Sequence, residues 1–337
     1  MPTMSRRTFL ARTAIAAGAI GAASLVGERI ARRREDRPWD DAAFAPPGTA
    51  RVAVLRATGY DAGLEDVVGD GLRAIGADVR GARVVLKPNL VEFDESTAIN
   101  TDPRLVAAAV VALRRLGAAD VLVGEGPGHR RDTQFVVTSS GLLEALDAVD
   151  ARFVDLNTDA VRRVPLRSHY TALGELWLPR TVADADVVIS MPKMKTHHWA
   201  GLTLSLKNCF GCVPGRVYGW PKNALHWAGL DQAILDVAAA VRPDYAIVDG
   251  IVGMEGNGPI AGTPFAANVL VFGDDPVATD VIGAHIMGFD PEKVPYLAEA
   301  ARFLGQGDME LIRSVGEDVD DVTTDFAVLP QFVSMKA

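Results

Sequence analysis

The stretch from Lys193 to Gly215 gathers lysine, histidine and cysteine side chains that could carry chemistry. It reads KMKTHHWAGLTLSLKNCFGCVPG and holds three lysines, two adjacent histidines and both cysteines of the chain. Lys207 lies among apolar residues, where burial would lower its pKa and leave a nucleophilic amine. The alternative is a lysine whose stem packs on apolar neighbours while its ammonium reaches water.

Cys209 and Cys212 form a C-x-x-C pair within this stretch. One such pair supplies half of a tetrahedral zinc or iron–sulfur site, and the chain has no second pair. His197, His198 or His226 could complete a metal site with the two thiolates, and a dithiol redox pair would suit an oxidising compartment. Two buried small residues are the alternative interpretation.

A glycine-rich segment adds further possible site residues. The sequence GEGPGHRR begins at Gly124, and Gly126 and Gly128 let backbone N–H groups approach an anion. His129 can titrate near neutral pH and move a proton. The segment does not match the G-x-G-x-x-G dinucleotide fingerprint, and a plain tight turn is the alternative.

These residues follow predicted strands of one sheet. Continuous apolar segments separated by helical patterns favour an α/β fold with a largely parallel sheet that has helices on both faces. The predicted strands are Val52–Leu55, Val84–Leu86, Val121–Val123, Val187–Ser190, Tyr245–Val248 and Val269–Phe272. The predicted helices include Pro103–Leu116, Leu230–Val241 and Pro276–Met287.

The carboxyl ends of such strands are where ligands bind. The four segments that follow the second to fifth strands begin at Lys87, Gly124, Pro192 and Asp249, and we expect them to surround one site. In the last segment, the carboxylates of Asp249 and Glu255 flank glycines and could bind a cation or take a proton. Capping of a turn is the equal alternative.

The first residues predict the compartment. A twin-arginine segment from Ser5 to Leu10 is followed by an apolar Ala/Gly-rich run over Thr13–Val26, which is typical of a Tat export signal. This run is shorter than the roughly 20 residues that span a bilayer, so cleavage and retention as an anchor both stay open. An ordinary N-terminal helix is the alternative. We expect an extracytoplasmic protein, periplasmic, cell-envelope or secreted, that the Tat translocase exports.

Composition restricts the partners and the fold. The chain has 43 acidic and 34 basic residues, and seven of its arginines lie within residues 1–35, so the remainder is strongly acidic and repels nucleic acid. A hydrophobic content of 49% supports a large core without a disulfide framework. We predict a signal or possible anchor over 1–35, a linker over 36–48, an α/β catalytic-like domain over 49–310 and a C-terminal tail over 311–337.

Five motifs in order resemble domain-of-unknown-function family 362, over roughly residues 50–290. They are Lys87-Pro88-Asn89, the glycine-rich segment at 124–128, Pro192-x-x-Lys195-x-His197, Ser205-Leu206-Lys207-Asn208-x-x-Gly211, and Asp249-Gly250 followed by Glu255-Gly256-x-Gly258-Pro259-x-x-Gly262. The resemblance names a family whose chemistry is not established. Other members often carry a ferredoxin-like cluster domain, which this sequence does not show.

A more distant similarity is to the catalytic half of the nickel-pincer lactate racemases. It rests on Gly-x-Gly-His-Arg, His197, Lys207, Pro214-Gly215 and Asn223-x-x-His226 in this order. The resemblance implies that His129 and His197 serve as acid and base, that Lys207 holds the nickel cofactor covalently and that His226 ligates the metal. The chain departs from the racemases at Ser205-Leu206, where they have a glycine pair, and its two cysteines are additional.

We therefore expect an extracytoplasmic enzyme of racemase-like fold that acts on a small carboxylate-bearing substrate, in a racemase- or isomerase-like or a redox reaction. Its cofactor is unknown; a metal ion is one candidate, as a nickel-pincer type or, less favoured, an iron–sulfur cluster. A non-catalytic metal- or anion-binding protein and a dithiol redox accessory protein are the alternatives. The expected partners are a small-molecule ligand, the Tat translocase and, through the leader, a membrane. The expected site residues are His129, His197 and Lys195 for catalysis, Lys207, Lys87, Asn208, Gly126, Gly128, Asp249 and Glu255 for the cofactor, and His226, Cys209 and Cys212 for a metal.

Two geometric expectations follow from these assignments. His129 and His197 should lie on opposite sides of one pocket, because two bases that face one carbon can act on either face of it. Lys207 should point into the same pocket as His226 and be withdrawn from water.

Overall fold

The computed structural model describes residues 37–128 and 132–337. The predicted Tat signal and possible anchor, including Arg6 and Arg7, lie outside the described residues, and so does His129.

One large mixed sheet organises the described chain. Eleven of its strands join in this sheet, whose main order is β13-β1-β12-β10-β7-β2-β3-β4, while β5 and β6 form a separate hairpin. The strands in the described ranges are β1 Ala50–Arg56, β2 Arg83–Pro88, β3 Asp120–Glu125, β4 Arg152–Asp155, β5 Val161–Pro165, β6 Glu175–Pro179, β7 Val187–Met191, β8 Lys193–His197, β9 Gly201–Thr203, β10 Tyr245–Asn257, β11 Ala261–Phe265, β12 Val269–Gly273 and β13 Ile312–Gly316.

The centre of this sheet is parallel, as the sequence predicted. Strands β10, β7, β2, β3 and β4 pair in parallel, and so do β1 and β13. Strand β12 is antiparallel to β10 and β1. It reverses direction because β10 connects to it through β11, without a crossover helix. All six strands predicted from apolar segments are present, and the α/β fold class is confirmed.

Helices cover both faces of the sheet. In the described residues they are α1 Leu64–Ala74, α2 Pro103–Arg115, α3 Thr133–Ser139, α4 Leu142–Asp147, α5 Arg180–Ala183, α6 Ser205–Asn208, α7 Gly215–Tyr218, α8 Asn223–Trp227, α9 Leu230–Val241, α10 Pro276–Ile286 and α11 Pro295–Ala300. Short 3₁₀ turns cover Cys209–Cys212, Pro291–Lys293, Met309–Leu311, Asp320–Val322 and Pro330–Met335.

Alternation along the strands divides the core into two layers. Val84 and Leu86 of β2 pack with α1 and α2 on one face, whereas Val85 faces the layer that contains α9 and α10. Successive side chains of a strand point to opposite faces, so a fully apolar strand serves both layers. This arrangement explains why the predicted strands are continuous apolar runs.

The segments predicted as a linker and a tail both pack onto this core. Trp39 and Phe44 are buried, and their rings lie 5.0 and 5.1 Å from the ring of Phe303. Near the other end, β13 extends the sheet beside β1, and Phe326 is fully buried. Isolated aromatic residues in irregular segments have no periodicity, so the sequence pattern did not reveal this packing.

None of the helices in the described ranges combines the length and the apolar character needed to cross a membrane.

Candidate functional site

A cavity of about 610 Å³ lies beyond the carboxyl ends of β2 and β3 and beside β8. Asn89 follows β2, Gly126 follows β3, and Lys195 belongs to β8 itself. Residues from α6, α8 and the segment before α8 complete the wall. The cavity therefore lies where the rule for parallel sheets predicts a ligand to bind.

Seven residues predicted for the site line this cavity. They are Gly126, Gly128, Lys195, His197, Lys207, Asn208 and His226. The expectation that Lys207 and His226 share one pocket is thus met.

Three lysines face the cavity, and burial lowers the pKa of each. The pKa of Lys207 falls to about 7 and that of Lys222 to about 8, while that of Lys195 lies well below its usual value. Burial is the largest cause in each case, and neighbouring lysines lower all three values further. Desolvation and like charges both disfavour an ammonium, so neutral amine is available here near neutral pH.

The three ammonium groups differ in their partners. Lys195 Nζ donates to the carbonyl of Ile99 at 2.9 Å. Lys222 Nζ donates to the carbonyls of Gly126 and Phe210 at 2.7 and 2.8 Å. Lys207 is half-buried, and its Nζ lies 4.2 Å from the centre of the Phe210 ring, with no carboxylate partner among the described residues.

Lys222 was missed from the sequence. Its backbone adopts the left-handed conformation with φ 66°, which a residue with a side chain rarely takes, and its side chain is only 2% exposed. Such backbone strain is often found at functional sites. Lys222 directly precedes the Asn223-x-x-His226 motif, but that motif does not include it, so its place in the cavity could be recognised only after the chain had folded around Gly126.

His197 is oriented by the backbone that follows it. Its Nδ1 accepts hydrogen bonds from the N–H groups of Trp199 and Ala200, at 3.1 and 3.2 Å. The neutral ring must then carry its hydrogen on Nε2. Burial, followed by the charge of Lys207, holds the pKa of His197 well below its usual value. The geometry therefore favours a hydrogen-bond donor at this position rather than the base that the sequence suggested.

Two other histidines present the opposite tautomer. His226 Nδ1 donates to the carbonyl of Lys222 at 3.1 Å, and His198 Nδ1 donates to that of Gly258 at 2.7 Å. Both residues line the cavity, and each keeps Nε2 as an acceptor. The pKa of His226 is lowered by burial. Among the described histidines of the cavity, these two can accept a proton.

The floor of the cavity is an ion pair. Lys87 Nζ lies 2.6 Å from Glu125 Oε1 and also donates to the side chain of Asn208 at 2.9 Å and to the carbonyl of Pro88 at 2.8 Å. All three hydrogens of the Lys87 ammonium are used. Lys87 therefore supports the cavity from beneath and does not line it, which differs from its expected direct contact with a cofactor.

Three buried polar atoms of the cavity have no partner among the described residues. They are Asn89 Oδ1, Glu125 Oε2 and Thr203 Oγ1. An unpaired buried polar atom destabilises a fold by about 1–3 kcal/mol unless a ligand or water satisfies it. These atoms can accept hydrogen bonds from a polar ligand or from water in the cavity.

Gly211 allows the floor to form. A methyl group at this position would lie 1.8 Å from Glu125 Oε1 and 2.5 Å from Lys87 Nζ. Both distances are far shorter than any allowed contact, so a glycine is required for the ion pair to approach the backbone here.

The predicted cysteine-based metal site is not formed in the described part of the protein. Cys209 and Cys212 are free thiols that are buried in the core and do not line the cavity. Burial raises the pKa of both thiols, that of Cys212 to about 11. Within residues 37–128 and 132–337, no group of three His, Cys, Asp or Glu side chains is arranged to hold a metal ion. The buried-thiol interpretation fits the structure.

Asp249 and Glu255 also lie outside the cavity wall. Asp249 forms a buried ion pair with Lys193 at 2.6 Å and accepts a hydrogen bond from Tyr60 at 2.7 Å. Glu255 accepts one from the backbone N–H of Ala327 at 2.8 Å. The fifth predicted strand continues through both residues to Asn257, so they are not at a strand end. In this geometry Asp249 pairs with Lys193 and Glu255 binds the backbone of Ala327 from within a strand, so neither residue caps a turn as the alternative interpretation supposed.

Comparisons with known proteins match the part of the chain that forms the cavity. The family model described as "Domain of unknown function (DUF362)" matches residues 84–285, which include every residue of the cavity wall. A similar protein is the "Thylakoid-associated protein sll1697" of Synechocystis sp. (strain ATCC 27184 / PCC 6803 / Kazusa). It is 32% identical over 266 residues, covering 74% of this chain and 78% of that protein.

Two solved structures are similar to parts of this chain at low sequence identity. The lactate racemase apoprotein from Thermoanaerobacterium thermosaccharolyticum is 13% identical with a TM-score of 0.41, covering 67% of this chain and 55% of that one. A protein from Thermotoga maritima is 12% identical with a TM-score of 0.33, covering 62% and 54%. The chain thus spans about half the length of the solved structures it matches.

Proposed function

The chain belongs to the DUF362 family, and on this premise we propose that it is an enzyme whose cavity binds a small carboxylate-bearing ligand, with the Lys207 amine bonding to the ligand or to a cofactor. One observation carries the proposal. Lys207 reaches the cavity without a carboxylate partner among the described residues, and its pKa is lowered to about 7. A lysine in this state offers a neutral amine at physiological pH.

The charges around the cavity favour an anion. Lys195, Lys207 and Lys222 face it, whereas Glu125 already pairs with Lys87. An ammonium has three hydrogens to donate; Lys195 uses one of them on a described partner and Lys222 uses two. A carboxylate would accept the remaining hydrogens and relieve the repulsion among the lysines.

The residues present decide which cofactors fit. A metal held by Cys209, Cys212 and a histidine does not fit, because the thiols lie in the core and away from the cavity. A nickel-pincer cofactor needs an amine and one imidazole, and Lys207 and His226 would hold it in this cavity. Such a cofactor would supply the electronic step of the reaction. The protein would bind the ligand with its lysines and donate a hydrogen bond from His197 Nε2.

The test compares wild type with Lys207→Arg, both purified from the native host. Arginine keeps the charge but cannot form the same covalent bond. We expect wild type to carry a covalent adduct or to bind carboxylates, and the variant to lose the adduct while circular dichroism shows an unchanged fold. Lys293→Arg is the matched control, because Lys293 is half-exposed and distant in the chain.

Intact mass, metal content and quenching of the fluorescence of Trp199 and Trp220, which line the cavity, supply the measurements. If the two proteins carry the same amount of adduct and bind carboxylates equally well, Lys207 has no role in the proposed function. Carboxylate binding without an adduct or turnover in wild type would instead support the alternative of a non-catalytic anion-binding protein.

We propose further that the protein acts outside the cytoplasm after Tat export. The twin-arginine sequence at Arg6 and Arg7 supports this proposal, and a similar protein is described as thylakoid-associated. Changing Arg6 and Arg7 together to Lys should retain the protein in the cytoplasm, because the export receptor reads both guanidinium groups. Cell fractionation checks this, with Arg12→Lys as the control. Undiminished export of the double variant contradicts the proposal.

A further inference from the structure

We infer that Lys207 condenses with the carbonyl group of a carboxylate-bearing substrate, a 2-oxo acid or a similar compound, to form an imine in this cavity. The inference rests on the proposed anion-binding function and adds the chemical class of the substrate. It also makes Lys207 the residue that bonds to the substrate itself rather than to a permanently attached cofactor.

Lys207 differs from the other six lysines of the chain in its bonding. Each of the others donates at least one hydrogen bond to a described partner. They are Lys87, Lys193, Lys195, Lys222, Lys293 and Lys336. Lys207 contacts the face of the Phe210 ring and has no described hydrogen-bond or ion-pair partner. Hydrogen-bond acceptors around a lysine stabilise its ammonium form. Lys207 has no such acceptor in the described structure, so its neutral amine is free to act as a nucleophile.

Imine formation needs only groups that the cavity contains. The amine nitrogen bonds to the carbonyl carbon, both amine hydrogens leave it, and the carbonyl oxygen departs as water. No oxidant or reductant takes part. Proton transfer requires a donor near the carbonyl oxygen and an acceptor near the nitrogen.

The cavity has both groups on its wall. His197 Nε2 carries a hydrogen, because Nδ1 accepts from two backbone N–H groups. Glu125 Oε2 is buried without a described partner, because Lys87 binds the other oxygen of this carboxylate. Lys207, His197 and Glu125 line the same cavity, so a substrate bonded to the amine would lie among all three side chains.

The remaining wall fits the rest of a small oxo acid. Lys195 and Lys222 can bind its carboxylate with the hydrogens that they do not use on the protein. Leu90, Val91 and Ile260 also line the cavity and suit a short aliphatic side chain.

Reductive trapping tests the inference. The purified full chain is incubated separately with glyoxylate, pyruvate or 2-oxobutyrate and then treated with borohydride, which adds hydride to an imine and makes the bond permanent. We expect one reduced adduct on Lys207, found by intact mass and peptide mapping, and much less adduct from acetone, which lacks the carboxylate. Trapping should be half-maximal near pH 7, against roughly pH 10 for an exposed lysine.

Matched controls separate this reaction from general lysine labelling. Lys207→Arg should abolish the adduct and Lys293→Arg should leave it unchanged. Because the arginine variant can fail to fold, a second measurement uses wild type alone. Propionate, which has the carboxylate but no ketone, should protect Lys207 by occupying the cavity.

The outcomes distinguish the inference from the function on which it rests. If none of the three oxo acids is trapped on Lys207 while carboxylates still quench the cavity tryptophans, the imine is overturned and anion binding stands. If carboxylates neither quench nor protect, both are overturned. Equal labelling of Lys207, Lys293 and Lys336, or a stable non-imine adduct already present on Lys207 in native protein, also overturns the inference.

Discussion

The carboxylate of Asp280, on α10, accepts a hydrogen bond from the backbone N–H of Ser205 at 2.6 Å. It also accepts one from the N–H of Leu206 at 2.9 Å, so it binds the first turn of α6. Lys207 is the next residue of that helix. The short helix is thereby fixed against α10, and it holds the Lys207 amine toward the cavity.

We predict that Asp280→Asn will destabilise the protein by about 1–3 kcal/mol, because the amide NH2 would point a donor at one of the two N–H groups, each of which now binds its own carboxyl oxygen. Burial raises the pKa of Asp280 to about 8, although the two N–H groups lower it. A folded-state pKa above the unfolded value of about 3.9 means that stability falls as pH rises between these values. Chemical unfolding of both proteins from pH 5 to pH 8 checks this. If the free energy of unfolding changes with pH equally steeply in wild type and in Asp280→Asn, the prediction is contradicted.

We predict that Gly211→Ala will disrupt the cavity floor, because its methyl group would overlap Glu125 and Lys87. The expected loss is at least about 1–3 kcal/mol of stability, together with loss of carboxylate binding. Gly48→Ala is the control, since Gly48 does not line the cavity and no atom would lie within 4 Å of its methyl group. Thermal unfolding and tryptophan quenching measure both effects. Similar behaviour of the two variants would show that the floor is not tightly packed.

We predict that carboxylate binding takes up protons between pH 7 and 8.5. The free protein has Lys207 with a pKa of about 7 and Lys222 with a pKa of about 8, and a bound anion raises both. Affinity should therefore be highest below pH 7 and fall as pH rises through these values. Calorimetry in buffers of different ionisation enthalpy measures the number of protons taken up for each carboxylate bound. Lys222→Gln should reduce the uptake, and pH-independent affinity contradicts the prediction.

We predict that Cys209 and Cys212 react very slowly with thiol reagents in the folded protein. With a pKa of about 11, only about one in a thousand Cys212 side chains is a thiolate at pH 8, and the thiolate is the reactive form. Ellman's reagent should modify both thiols quickly in guanidinium and hardly at all before unfolding. Rapid modification of the native protein would restore the dithiol redox alternative.

The strands of the sheet could be predicted from the sequence because each strand is recognisable from its own residues. Val84–Leu86 and Tyr245–Val248 are apolar runs that can be recognised without knowing their neighbours. The positions after β2, β3 and β7 followed from the rule for parallel sheets, and among the residues predicted there Gly126, Lys195 and His197 do line one cavity.

The rest of the site depended on distant contacts. Lys222 reaches the cavity through a left-handed backbone and bonds to Gly126, nearly a hundred residues earlier in the chain. Glu125 stood in the glycine-rich segment, but its pairing with Lys87 required the register of β2 against β3. The strand through Asp249 is longer than its apolar run, so the sequence placed this residue at a strand end that does not exist.

The order of the strands in the sheet also affects how the protein folds during its synthesis. β1 precedes all the other strands of the described chain, yet its two partners are β12 and β13. During synthesis, the edges of β1 stay without their native partners until β12 and β13 have left the ribosome. Exposed strand edges are templates for aggregation, and distant pairing slows folding. A nascent chain of this protein would therefore depend on protection by chaperones until its last strand is available.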